Sequence, residues 1–210
     1  MIERSLINLI KERPVFHSEA DLQFALGLKI AQDNSDIQIR FEKPFKDQYV
    51  DIVIFNHEII GVELKYKTSE LEFTDKNNSE TFHLKEHAAI DLGRFDVIKD
   101  IQKLEQLVSS NQITKGYVLF VTNCSTYWTN QAYKGSDQAL DTAFRLIDKR
   151  VLSGTLKWHS NVKVSTCGKK RINGIELKGS YQVNWKDLVD LGCKNGVFRY
   201  MIIEIPPEQH

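Results

Sequence analysis

YVDIVIFNHEIIGVELKYK, residues 49–67, is the stretch on which the fold turns. Two runs rich in Ile, Val and Phe flank Asn56, His57 and Glu58, a pattern that predicts two β-strands joined by a three-residue hairpin loop. With that loop Asp51 stands directly opposite Glu63, at a Cβ separation of about 4.5–5.5 Å. Side chains alternate along a strand, so Lys65 shares the face of Glu63. Val50, Ile52, Ile54, Val62 and Leu64 then point the other way, into a core layer.

That placement is costly. Facing carboxylates repel, and burial raises the cost of ionising either one. A hard divalent cation resolves the conflict: Mg²⁺ takes oxygen ligands at about 2.0–2.1 Å and commonly combines one or two carboxylates with water and substrate phosphate. Asp51, Glu63 and the backbone carbonyl of Leu64 are the candidate ligands. Lys65 would stand beside the metal, orienting or deprotonating a water or stabilising charge on phosphorus. The plainer reading of Glu63 and Lys65 is a strand-edge ion pair, worth about 0–1 kcal/mol when exposed.

Outward from the hairpin the periodicity changes. Upstream, residues 2–13 predict an amphipathic helix ended by Pro14, and a second helix starts at Ser18, with Leu22, Leu26 and Ile30 as its buried stripe. A strand over 36–41 follows. Downstream come a polar loop over 68–82, a helix over 84–108, an apolar strand over 115–121 and a loop over 122–136. A helix over about 137–150, short strands, a short helix near 185–191 and a last strand over 198–205 complete the chain. This order predicts an α/β protein with one mixed sheet and helices on both faces.

The spacing Asp-x11-Glu-x-Lys in VDIVIFNHEIIGVELK, at the end of a hairpin and after a helix carrying Glu19 in HSEADLQ, resembles the PD-(D/E)XK nuclease superfamily. The resemblance implies a restriction-endonuclease-like fold, a three-layer α/β/α arrangement around a central mixed β-sheet. It implies Mg²⁺-dependent hydrolysis of phosphodiester bonds, with Mn²⁺ as a substitute, and a DNA endonuclease in preference to an RNA enzyme. Asp51, Glu63 and Leu64 would hold the metal, with Asp51, Glu63, Lys65 and Glu19 as the catalytic set. Many such nucleases act as homodimers on two-fold sites, so a homodimer is a further expectation. Val50 stands where the family name has proline. The resemblance covers about residues 15–150 of a single domain spanning 1–210, leaving a β-rich extension over 151–210. Glu19 also has an ordinary role open to it, since an acid in a first helical turn favours the helix dipole. The rival function is a non-catalytic module on the same fold that binds nucleic acid or protein.

Composition narrows the partners. The 210 residues carry 28 Lys and Arg against 28 Asp and Glu, which excludes a binder driven by bulk positive charge. A nucleic-acid contact must be local, and Lys169, Lys170 and Arg171, in a basic segment over 157–178, are the candidate; an ordinary solvated loop is the alternative. Three widely spaced cysteines support neither a disulfide framework nor a four-cysteine zinc site. No apolar run approaches the ~20 residues of a membrane span, and the N-terminal apolar run is too short for a signal peptide, so a cytoplasmic protein without membrane contact is expected. His83, His87 and Asp91 fall at helical spacing, but HLKEH is not a zinc HExxH, and a solvated helix face is the better reading. Tyr127, Trp128 and Tyr133 suit the edge of a core better than a base-stacking platform.

Overall fold

A computed structural model describes residues 1–46, 48–130 and 140–207. Helix α1 (Ile2–Glu12) buries Ile2, Leu6, Leu9 and Ile10 and stops just before Pro14. Helix α2 (Glu19–Asp33) begins where Ser18 Oγ accepts the N–H of Asp21 at 3.1 Å, a cap worth about 1 kcal/mol. Strands β1 (Gln38–Phe45), β2 (Gln48–Phe55) and β3 (Ile59–Lys67) form an antiparallel meander. β1 runs beyond residue 41 through Pro44, which an edge strand tolerates.

β3 leads through a small hairpin, β4 (Leu71–Thr74) and β5 (Thr81–Leu84), into helix α3 (Ile90–Ser109). Strand β6 (Lys115–Thr122) returns parallel to β3. The C-terminal third adds a separate hairpin, β7 (Val151–Leu156) with β8 (Ile175–Gln182), and the single-turn helix α4 (Val164–Cys167) between them. It then supplies β9 (Trp185–Asp190) and β10 (Val197–Ile205) to the main sheet. Among the described residues the protein is therefore mixed α/β, with four helices and a central mixed sheet of order β1-β2-β3-β6-β10-β9.

Alternation along the strands divides the core in two. Ile52, Ile54, Val62, Leu64, Leu119 and Val121 pack with α1 and α2. Val53, Val118, Phe120, Met201 and Ile203 pack with α3 and the β7–β8 hairpin. Val50 departs from the expected face and joins Phe45 and Val53 on the α3 side. The alternation breaks where Glu42 adopts φ +47° and its pairing with Asp51 drops out of the β1–β2 ladder.

Four sequence expectations are corrected. Residues 68–82 are not all loop: Leu71, Phe82 and Leu84 are buried on one face of the β4–β5 hairpin, which turns on side-chain bonds from Asp75 and Asn78 to backbone N–H groups two residues on. The long helix starts at Ile90, not at 84, because Ala89 takes φ +61° and Leu84 belongs to strand β5. His83 therefore lies on β5, His87 precedes the helix, and the two do not share a helical face with Asp91. Of the helix expected over 137–150, residues 137–139 lie outside the described residues; the rest holds a 3₁₀ turn over Thr142–Phe144. The helix expected near 185–191 is strand β9, paired with β10. None of the helices described is long and apolar enough to cross a membrane.

Candidate active site

The β2–β3 ladder pairs Ile52 with Val62 and goes no further. At the next position the Asp51 side chain replaces a backbone partner: its Oδ2 accepts the N–H of Leu64 at 2.7 Å. The strands open there, and polar groups from α2 and α3 close in. Gln23 Nε2 donates to the Asp51 carbonyl and to Glu42 Oε1, each at 2.7 Å. Glu19, in the first turn of α2, accepts the N–H of Tyr66 through Oε2 at 2.7 Å. That bond fixes α2 to the end of β3 and gives Glu19 a structural task whatever else it does.

From the other face α3 delivers Asp100 and Lys103. Lys103 Nζ lies 2.5 Å from Glu63 Oε2 and donates to the Tyr49 carbonyl at 2.9 Å. Lys65 Nζ lies 2.9 Å from Asp100 Oδ2 and 3.2 Å from the Leu64 carbonyl oxygen. Glu63 is 1% exposed, and its Oε1 is buried without a hydrogen-bond partner among the described residues. Asp51, Glu63, Lys65 and Glu19 thus meet around the opening of the hairpin, joined by Asp100 and Lys103.

The charges shift one another. Burial pushes Asp51 above its ordinary value, against the Leu64 N–H and the charges of Lys65 and Lys103. Glu63 is held well above the ordinary carboxylate value, first by burial and then by the negative charges of Asp100 and Asp51, which Lys103 does not offset. Burial opposes the charge on Lys65, but Asp100, Glu19 and Asp51 together outweigh it and raise its value. Those neighbours favour the protonated form of Lys65 in this arrangement.

Asp51 and Glu63, with the Leu64 carbonyl beside them, are hard oxygen donors suited to a divalent cation, and the orphaned Glu63 Oε1 is an acceptor that such an ion would satisfy. Among the described residues no group of three or more His, Cys, Asp or Glu side chains converges in metal-ligating geometry. Any ion here would rest on two carboxylates, a backbone carbonyl and water.

The basic candidates are placed elsewhere. Lys169 and Lys170 are exposed in the loop between α4 and β8. Arg171 is engaged by Asp96 of α3 through two bonds of 2.7 and 2.8 Å, one helical turn before Asp100. Arg94 is buried in a pair with Asp141 and donates to the Thr126 carbonyl. Tyr127 is buried and Trp128 packs against Trp185, both as core-edge aromatics; Tyr133 lies outside the described residues.

Gln23, Glu42, Asp100 and Lys103 carry no signal in a reading of the 49–67 segment. The one trace is Asp100 and Lys103 at i, i+3, set among the apolar Ile98, Ile101 and Leu104 of the same helix. Comparison with protein-family models, with curated proteins and with solved structures finds no match to this chain.

Proposed function

We propose that the protein is a Mg²⁺-dependent nuclease, with DNA as the favoured substrate, built on a three-layer restriction-endonuclease-like fold. The observation that carries this reading is the buried, partly unsatisfied Glu63 beside Asp51 where the β2–β3 ladder opens, with Lys65 held close by between Asp100 and the Leu64 carbonyl. Asp51, Glu63 and the Leu64 carbonyl hold the ion. When bound it supplies Lewis-acid polarisation of the scissile phosphate and a more acidic water. Lys65, kept protonated by Asp100 and Glu19, stabilises charge developing on the phosphoryl oxygens. Glu19 and Gln23 hold α2 against the open strand ends, so the acids stay in place as substrate arrives.

The test is calorimetric titration of Mn²⁺ into the parent and Asp51→Asn, beside cleavage of plasmid DNA, single strands and RNA with Mg²⁺ or EDTA. Metal binding and cleavage both lost in the variant support the nuclease. Metal binding absent from the parent refutes it.

One observation favours the binding module instead. Lys103 and Lys65 already form ion pairs with Glu63 and Asp100 without a metal. On that reading the cluster is a structural network, and Asp51→Asn leaves nucleic-acid or protein binding unchanged.

A further inference from the structure

Beyond Glu19, away from Asp51, a cleft of about 470 Å³ opens between the first turn of α2, the end of β3 and strand β5. Lys67, Lys85, His17, His83 and His87 line it, and Glu19 is the one acidic side chain in that lining. Lys67 follows Lys65 by two residues on β3, about 7 Å further along the strand. Lys65 and Lys103 are both consumed by carboxylates, whereas Lys67 and Lys85 have no ion-pair partner among the described residues.

His87 is held in one orientation. Its Nδ1 accepts the N–H of Thr68 at 3.0 Å and lies 2.9 Å from Thr68 Oγ1, while its own backbone N–H donates to the Thr68 carbonyl at 2.8 Å. With Nδ1 accepting, the neutral ring carries its proton on Nε2. Burial first, and the charge of Lys67 second, lower the value of His87, so it presents a neutral N–H donor at physiological pH. The positive end of the 15-residue helix α2 also opens on this cleft. Two free ammonium groups, a fixed imidazole N–H and a helix N-terminus form a lining complementary to phosphate.

We propose that this cleft binds the phosphodiester backbone of the nucleic-acid strand beside the scissile phosphate, and so sets the path of the substrate past Glu19 into the site. The assignment rests on the nuclease reading and adds where the strand runs. It moves the principal backbone contact from Lys169, Lys170 and Arg171 to Lys67, Lys85 and His87.

Fluorescence anisotropy of labelled single-stranded and duplex oligonucleotides in EDTA, across a salt series, tests it without cleavage intervening. The Lys67→Gln/Lys85→Gln double variant is expected to bind about tenfold or more weakly. The slope of log affinity against log salt should fall by about 1.4–1.8, since each lost phosphate contact removes roughly 0.7–0.9. A Lys169→Gln/Lys170→Gln variant should change both quantities less. Affinity and slope equal to the parent in the cleft variant, or a parent that binds no oligonucleotide, overturns the assignment. Inorganic phosphate competing as strongly per phosphate as the oligonucleotide also overturns it, in favour of a small-anion site. Mn²⁺ titration of the same cleft variant separates this failure from that of the nuclease reading, because metal binding depends on Asp51 and not on the cleft.

Discussion

Glu63 and Lys103 form an unequal pair. Glu63 is 1% exposed at its side chain and Lys103 18%, and Lys103 has the Tyr49 carbonyl and Asp100 within reach besides. Removing the lysine strands a buried carboxylate, whereas removing the carboxylate leaves a lysine with other partners and a route to water. Lys103→Ala should therefore destabilise the metal-free protein at neutral pH by about 3 kcal/mol, and Glu63→Gln by far less, in urea unfolding. The pH dependence follows from the raised values of Glu63 and Asp51. Their folded forms hold protons that the unfolded chain releases near 4.5 and 3.8, so their contribution to stability is present below those values and lost as pH rises through the folded ones. In EDTA, stability should fall as pH climbs above about 4.5, and Glu63→Gln should flatten that decline. A parent curve that rises over the same range would show that neither acid is raised. Asp51, Glu63, Leu64 and Lys65 were legible in the sequence because a short hairpin fixes its own neighbours. Lys103 and Asp100 were not, because their place depends on how α3 packs on the sheet.

At the scale of elements, α3 is held by its acids. Glu105, 6% exposed, accepts the N–H groups of Lys178 and Gly179 at 3.1 and 2.7 Å and the Tyr181 hydroxyl at 2.8 Å, gathering β8 where the β7–β8 register shifts between Ser153 and Gly154. Asp96 accepts two bonds from Arg171 in the loop before β8. Glu105→Gln keeps the shape but turns an acceptor toward a donor, leaving buried groups mismatched at about 1–3 kcal/mol. Hydrogen exchange should quicken first in β7 and β8, while β2 and β3 stay protected; uniform loss of protection would refute a local clamp. The elements misread from sequence are those whose partners lie far away. Trp185, Leu188 and Val189 fit a helical stripe as well as a strand, and only the neighbouring β10 decides between them. Leu84 fits the α3 period, yet its partner is Leu71 across the β4–β5 turn.

For the molecule as a whole, β10 lies between β6 and β9 and buries Phe198, Tyr200, Met201, Ile203 and Ile205. A chain truncated at residue 150 keeps Glu19, Asp51, Glu63 and Lys65 but leaves the face and edge of β6 bare. It should fail to fold, giving a collapsed amide NMR spectrum; native-like dispersion would show that the C-terminal strands are dispensable. The order in which the sheet closes has a consequence in time. Asp51 and Glu63 meet through a hairpin of three loop residues, a step of about 1–10 μs, whereas Lys103 arrives only when the β3-to-β6 crossover docks α3. Two acids thus face each other before their counter-cation is present. The barrier to folding should carry that repulsion, so Glu63→Gln is expected to speed refolding even though it slightly destabilises the folded protein, and stopped-flow traces will show whether the site's charges set the pace at which the chain assembles.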